Sequence, residues 1–269
     1  MNLYAESAKT LTIPDLKAMK QRGEKISCLT AYDASFSTVL DQAGIDMILV
    51  GDSLGMVVQG HHSTLPVTVD DMVYHSRIVA AARKRAFVVT DLPFASYATP
   101  EQALHNAARL TQAGAAQMVK LEGPKLEIIS FLVAQGIPVC GHLGLLPQSV
   151  NRAGGYKVQG RDAGQAQQLL ADALAIQQAG ADCLVLECIP AALAAQITQQ
   201  LSIPVIGIGA GAACDGQVLV LYDMLNISIG NRPRFSKNFI ETAAGIDAAV
   251  RSYHQAVKSQ QFPGPEHCY

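Results

Sequence analysis

Short runs of continuous apolar residues alternate along this chain with longer stretches in which apolar positions recur every three or four residues. The first kind reads as strands buried on both faces of a parallel sheet, the second as amphipathic helices packed against it. Three segments share one order: Gln42-Ala43-Gly44 leads into residues 47–50 and Asp52, Gln112-Ala113-Gly114 into 117–121 and Glu122, and Gln178-Ala179-Gly180 into 183–186 and Glu187. Ala134-Gln135-Gly136, ahead of 137–140 and His142, is a shortened copy. Gly just past a helix is the usual left-handed terminator, so each copy predicts a helix end, a strand and a polar group at the strand's exit. Helix starts are legible too. Thr99-Pro100-Glu101-Gln102 offers an N-cap, Pro at N1 and Gln at N3, and Thr68 opens a segment whose Val69, Met72, Val73, Ser76 and Val79 share a face. Strands are expected at roughly 26–31, 47–51, 87–90, 117–121, 137–140, 183–186, 204–208 and 225–229. Eight strand–helix units in about 250 residues predict an α/β fold of the (β/α)8 TIM-barrel kind, preceded by a helix that begins at Ile13 and stops at Gly23. An open doubly wound sheet is the competing architecture, but it rarely needs eight such regular units.

No linker-like stretch or break in composition divides the 269 residues, so a single barrel domain is expected over 1–269, with a loose arm at 1–11 and C-terminal helices and tail over 236–269. Hydrophobic residues make up 49% of the chain, ample for one large core. The net charge is −2 and no basic block exceeds Arg83-Lys84-Arg85, which argues against a nucleic-acid partner. No apolar run approaches the roughly 18 residues of a membrane span, and residues 1–25 lack the apolar core of a signal peptide, so no membrane is expected either. The six cysteines form no CxxC pair, and several fall in apolar strands where a reduced thiol packs as a small hydrophobe. That usage predicts a reduced, cytoplasmic protein rather than a disulfide scaffold. Ile246, Val250, Tyr253 and Val257 form an apolar seam that either closes the last helix layer or lies on a neighbouring subunit.

The carboxyl ends of barrel strands converge on the face where such folds build their sites. Here those ends carry Tyr32 and Asp33, Asp52 and Ser53, Asp91, Lys120 and Glu122, His142, Glu187 and Gly209, with nothing ionisable after the last expected strand. Crowded carboxylates repel one another unless a cation or shared protons compensate. An oxygen-rich set suits Mg2+, which takes one or two carboxylates and keeps water and substrate as its other ligands. Each residue has an ordinary alternative. Asp52 caps the next turn, Asp91 before Leu92-Pro93 is a turn residue, and Lys120 and Glu122, flanking Leu121, form a structural ion pair. His142 stands behind the site as a hydrogen-bonded second layer or takes part in catalysis directly. Glu187 ends a fully apolar strand, where an unpaired carboxylate is costly, and that favours a raised pKa and acid–base work. His61-His62 reads as a polar loop, because adjacent side chains seldom share a metal. The 207–212 segment fits GxGxxA weakly, since no acidic residue follows at about twenty positions. The glycines and cations of 154–161 suit an anion-facing lid or a plain flexible loop.

Val50-Gly51-Asp52-Ser53-Leu54-Gly55, Asp91-Leu92-Pro93-Phe94, Val119-Lys120-Leu121-Glu122-Gly123, Val139-Cys140-Gly141-His142-Leu143-Gly144-Leu145, residues 154–161, Leu186-Glu187-Cys188 and residues 206–211 occur in the order of a known family. From about residue 12 to its end, the chain resembles the 3-methyl-2-oxobutanoate hydroxymethyltransferase (ketopantoate hydroxymethyltransferase) family. The resemblance implies a (β/α)8 barrel, in agreement with the strand count. It also implies transfer of a hydroxymethyl group from 5,10-methylenetetrahydrofolate to 3-methyl-2-oxobutanoate through a Mg2+-stabilised enolate, the first committed step of pantothenate biosynthesis. Carried over, Asp52 and Asp91 are Mg2+ ligands, with Glu122 near the ion through water. Asp52, Ser53, Asp91 and Lys120 contact the 2-oxo acid, and Glu187 moves the proton. A cytoplasmic homo-oligomer, a decamer, is implied as well. Residues 231–235 and 212–214 depart from the family pattern, outside the inferred metal set. The main rival is a Mg2+-dependent lyase or aldolase on 2-oxo acids of the phosphoenolpyruvate mutase and isocitrate lyase type, which shares the chemistry and the acidic ligands. Against it, Cys140-Gly141 falls inside strand five rather than in a loop at a strand end. A barrel that only senses a 2-oxo acid is a second rival, but such a binder has no need of Glu187.

Overall fold

The computed structural model describes residues 9–230 and 232–269. Eight strands pair in parallel and in chain order: β1 (Ile26–Thr30), β2 (Met47–Val50), β3 (Phe87–Asp91), β4 (Met118–Lys120), β5 (Val139–Gly144), β6 (Cys183–Glu187), β7 (Val205–Ile208) and β8 (Gly216–Leu219). β8 returns to pair with β1, so the predicted barrel closes, and a helix at Ile13–Gln21 precedes it. Side chains alternate faces along each strand. Met47, Val89, Cys140, Cys183, Ile206 and Val218 therefore meet on the barrel axis. Their neighbours Ile48, Val88, Val119 and Leu184 are buried on the opposite face, toward the helices. Carried one step further, this two-residue period turns the polar groups at the strand ends inward at the mouth.

The eighth strand is not where the sequence pattern places it. Residues 225–229 follow a short helix (Leu221–Met224), and Ile227 and Ile229 are 53% and 77% exposed. Gly216–Leu219 forms the strand instead, in register with both β7 and β1. Parallel strands usually need a crossover of a dozen or more residues, which is why a helix-bearing connection was the natural expectation. Here residues 209–215 cross from β7 to β8 with no helix at all. Gly216 makes the close approach possible: a Cβ there would collide with the Ile26 carbonyl oxygen and lie 2.8 Å from Ile206 Cδ1. β5 also runs past its expected end, to Gly144. At φ 96° and hard against the Glu187 carbonyl, that position accepts only glycine.

Within 236–269 there is one α-helix, Ile246–Lys258, and a 3-10 turn, Pro265–His267, rather than two helices. The apolar seam of the helix closes the barrel's outer layer. Val250, Tyr253 and Val257 are buried, and the Tyr253 hydroxyl lies 2.8 Å from the Cys28 carbonyl and 2.9 Å from that of Gln217. Lys258 on the same helix reaches the closed end of the barrel, where the buried Asp46 meets Lys258 Nζ at 2.7 Å, Arg85 Nη2 at 2.9 Å and the Ser27 N–H at 3.0 Å. Of the expected N-terminal arm, residues 1–8 lie outside the described residues. Leu11 is pinned through its N–H to the Arg85 carbonyl at 2.8 Å.

If β8 is Gly216–Leu219, Gly216→Ala forces β1 and β7 apart and lowers unfolding stability by roughly 1–3 kcal/mol. Ile227→Ala, on an exposed side chain, stays within about 0.5 kcal/mol of the parent. Urea titration of both variants checks this, and the reverse ranking would move the strand back to 225–229.

Candidate active site

A cavity of about 450 Å3 opens at the carboxyl end of the strands. Asp52, Ser53, Asp91, Lys120, Glu122, His142 and Glu187 all line it, so the residues expected to hold metal, oxo acid and proton face one space. Asp91 and Lys120 are register partners at the ends of β3 and β4, and Lys120 Nζ lies 2.5 Å from Asp91 Oδ1. Asp91 Oδ2 accepts the Asp52 N–H at 3.0 Å, which fixes the turn after β2. Asp52 is not a side-chain cap. Its carbonyl, not its carboxylate, accepts the Gly55 N–H, and its Oδ2 accepts from Gln148 Nε2 at 2.8 Å. The capping alternative holds for Asp33, whose Oδ1 takes the Phe36 N–H at 2.8 Å. Ser53 Oγ sits 2.9 Å from the hydroxyl of the buried Tyr32. Lys120 and Glu122 both point into the mouth, and the ion pair proposed for Lys120 exists, but with Asp91 as its partner.

Among the described residues Lys120 is the one cation buried with Asp52, Asp91 and Glu122, and Glu187 lines the same cavity. Burial works against its charge, but Asp91, Asp52 and Glu122 outweigh that and push its pKa up. The carboxylates bear the remaining imbalance. Burial first, and Asp91's charge second, raise the pKa of Asp52; burial and then Asp52 raise that of Glu122. Glu187 is pushed up to about 8, mainly by burial, with Lys120 pulling it down and Asp91 adding to the rise. His142 lies between two of these acids, Nε2 3.2 Å from Glu187 Oε2 and Nδ1 3.7 Å from Glu122 Oε1. Neither nitrogen is aligned for a hydrogen bond, and both are buried without a partner. Burial and then Lys120 hold its pKa well below the ordinary value, so the ring is neutral near pH 7.

Three features of the site escape the sequence pattern. Gln148, on the 3-10 turn Pro147–Ser149 after β5, uses its whole amide: Nε2 donates to Asp52 and to the Leu92 carbonyl at 3.0 Å, and Oε1 accepts from the Tyr97 hydroxyl at 2.5 Å. Its backbone N–H donates to Glu122 Oε2 at 3.1 Å, and the Tyr97 oxygen accepts the Glu122 N–H at 3.3 Å. One uncharged residue thus tethers two of the acids. Asp223, on Leu221–Met224 after the true β8, also lines the cavity, so the last strand does deliver an ionisable group. Tyr156, Lys157, Phe235 and the C-terminal Tyr269 supply the outer wall. In the 154–161 segment Lys157 borders the cavity, while Arg161 is exposed and does not line it. In the glycine loop after β7, a Cβ on Gly209 would lie 3.1 Å from both Phe235 Cβ and Tyr269 Cε2, so those two side chains lie close over it.

A family model for ketopantoate hydroxymethyltransferase matches residues 10–265. The chain belongs to that family. A relative named 3-methyl-2-oxobutanoate hydroxymethyltransferase, from Nitrosococcus oceani, is 59% identical over 94% of this chain and 97% of its own length. One of the same name from Thiobacillus denitrificans is 59% identical over 96% and 99%. The chain is therefore an enzyme of a hydroxymethyl-transferring family. Among solved structures, a putative phosphonomutase from Burkholderia cenocepacia J2315 superimposes with a TM-score of 0.62 at 18% identity, covering 80% of this chain and 95% of that one. Phosphonopyruvate hydrolase in complex with oxalate and Mg2+ gives 0.59 at 11%, covering 77% and 80%. At these identities the likeness shows the shared barrel alone. Among the described residues, no helix is long and apolar enough to cross a membrane.

The donor set of this family member fits a hard divalent cation. Among the described residues no three His, Cys, Asp or Glu side chains close on a single point as a complete protein-built site. Asp52 and Asp91, tied to each other and lining open cavity, match the one or two carboxylates that Mg2+ takes while keeping water and substrate. The surplus of buried negative charge is what such an ion would neutralise. If Gln148 holds this geometry, Gln148→Ala weakens Mg2+ affinity by roughly 10- to 100-fold with an unchanged circular dichroism spectrum. Calorimetric titration decides, and an unaltered affinity would confine Gln148 to packing.

The Glu187 shift carries a sign. A carboxyl group whose pKa is about 8 folded and near 4.5 unfolded stabilises fully below the lower value and loses that contribution as pH rises to the higher one. Without divalent cation, Tm should therefore fall by several degrees from about pH 6 to about pH 8.5 in the wild type, and clearly less in Glu187→Gln. Equal slopes for the two proteins would show that Glu187 is not the proton-holding acid.

Proposed function

We propose that this enzyme transfers a hydroxymethyl group from 5,10-methylenetetrahydrofolate to 3-methyl-2-oxobutanoate, giving 2-dehydropantoate and tetrahydrofolate. The observation that carries this reading is the placement of a buried carboxyl with a raised pKa, Glu187, in one cavity with the Asp52–Asp91–Lys120 group and Ser53. Family membership supplies the substrates; the cavity supplies groups that match their chemistry. Lys120 and the Ser53 hydroxyl, the latter backed by Tyr32, offer a cation and a donor to the oxo acid's carboxylate and keto oxygens. Glu187, when ionised, takes the proton from C3, and a base with a pKa near the working pH does this most effectively. His142 stands 3.2 Å from Glu187 as a neutral ring and does not compete for its proton. The electron pair left at C3 forms a bond to the methylene carbon, the two bonds from that carbon to folate nitrogens break, water supplies the hydroxyl group, and the C3 proton and the remaining proton of water end on the two released nitrogens. A Mg2+ held by Asp52 and Asp91, with Glu122 through water, would supply Lewis-acid stabilisation of the charge that develops on the oxo acid's oxygens, worth several kcal/mol. The first committed step of pantothenate synthesis, a cytoplasmic location and a decameric homo-oligomer belong to the same reading and rest on the family resemblance.

Hydrogen exchange at C3 tests the proton step without the folate. With Mg2+ in deuterated buffer, the wild type should exchange the C3 proton of 3-methyl-2-oxobutanoate, and Glu187→Gln should do so roughly 10^2- to 10^4-fold more slowly. Exchange at the wild-type rate in the variant retires Glu187 as the base. Cleavage of a larger oxo acid with no dependence on folate would replace the transferase reading by a lyase.

A further inference from the structure

The active-site cavity shares a wall with a second cavity of about 380 Å3, which opens between the 232–242 segment and the turn Pro265–His267. Pro233 and Arg234 border both. Three cations, Arg232, Arg234 and Lys237, line the second cavity, and none has a carboxylate within 4.0 Å among the described residues. Acids are at hand, for Glu241 and Glu266 line the same space, but Glu266 lies 3.3 Å from His267 Nδ1 instead. Arg234 is held in place: its Nε donates to the Glu266 carbonyl at 3.0 Å and its guanidinium lies 5.5 Å from the Tyr269 ring centroid. That leaves its terminal nitrogens for a ligand. Ser236, also in the lining, is 4% exposed and its hydroxyl has no partner. A buried polar atom without a partner, beside three cations that local acids do not neutralise, describes a receptor for an anion.

We propose that this second cavity binds the glutamate tail of the folate co-substrate while the pteridine end enters the active-site cavity. The inference rests on the folate reading above. Folate is elongated, with its one-carbon unit near the flat ring system and its carboxylates at the far end, and each added γ-linked glutamate contributes one more carboxylate. The one-carbon unit must reach the mouth, where Lys120 is already paired with Asp91 and assigned to the oxo acid, so no buried cation there is left for an anionic tail. The tail is therefore directed away from the mouth, and the wall of Pro233 and Arg234 leads it from negative to positive surroundings. Arg232, Arg234 and Lys237 then meet the tail carboxylates, with Ser236 as a donor to a tail carboxylate or amide carbonyl. None of these groups touches the reacting carbon, so they set donor affinity and leave kcat alone.

Steady-state kinetics with 5,10-methylenetetrahydrofolate carrying one or five glutamates tests this. In the wild type at low salt, the pentaglutamyl donor should show a KM roughly five- to tenfold below that of the monoglutamyl donor, and 0.5 M salt should shrink the gap. In the double variant Arg232→Ala, Lys237→Ala the two KM values should converge, with kcat and the KM for the oxo acid unchanged. Lys237→Glu should reverse the preference. Both positions are exposed, so the substitutions leave the core intact. Equal KM values in the wild type, or an undiminished gap in the double variant, would overturn the tail site while leaving the folate reading standing. No turnover with either donor would overturn both.

Discussion

The site hangs on one contact between two neighbouring strands. Asp91 and Lys120 end β3 and β4 in register and lie 2.5 Å apart, with both side chains almost fully buried. Asp91 then spends its second oxygen on the Asp52 N–H, so the turn that presents Asp52 and Ser53 is positioned by the same carboxylate. Removing either partner would strand a buried charge, which costs far more than an intact pair contributes. The closed end of the barrel shows the contrast. There a single carboxylate, Asp46, has two cations and a backbone donor, and despite burial its pKa is lowered, chiefly by Lys258. At the open end four carboxylates share one lysine, and the pKa values of Asp52, Glu122 and Glu187 rise. The same residue type is thus satisfied where it serves stability and left in deficit where a ligand is to bind.

A deficit of this kind has to be kept from collapsing when no ligand is present. Protonation is one safeguard, and the Gln148–Tyr97 pair is the other. An amide neither adds to the charge nor relieves it, yet with both ends occupied it holds Asp52 at a fixed position, while the backbone N–H of the same residue holds Glu122. A lysine in its place would neutralise the acids. His142 plays a similar neutral part on the other side. With its ring uncharged, it separates Glu122 from Glu187 without drawing either into an ion pair.

Much of this was legible in the sequence, for a physical reason. Strands buried on both faces leave an unbroken apolar run, so the first polar residue after each run marks the barrel mouth. Asp52, Lys120, His142 and Glu187 are found that way, with Asp91 directly after Thr90 and Glu122 two residues after Lys120. The run 225–229 looked like another such strand, but Ile227 and Ile229 are exposed, and no one-dimensional pattern separates a buried apolar run from a solvated one. The true β8, Gly-Gln-Val-Leu, is short, begins with glycine and carries a polar residue, and it follows β7 too closely to be expected in parallel. Gln148 and Tyr97 were invisible because neither is charged and both come from loops, whose return to the mouth depends on packing rather than on period.

The outer wall explains why residues so late in the chain matter to a site built on β2 to β6. Cys188, at φ 48°, turns the chain directly after Glu187, and Ala191 three residues later donates its N–H to the carbonyl of Tyr269 at 3.0 Å. Tyr269 is thereby fastened close to Glu187. Tyr269 and Phe235 close over Gly209, and Tyr156 reaches in from the opposite side, its hydroxyl 3.9 Å from Met56 Sδ. Burial and then the charges of Glu187, Asp52 and Glu122 raise the pKa of Tyr156, which places that ring within the field of the acids. A small 2-oxo acid needs none of these aromatic surfaces. On the proposed reading the folate donor does, and it would also shut out the water that otherwise weakens every electrostatic contact at the mouth. On that reading the charged floor and the aromatic wall, which line one cavity, each face a different reactant.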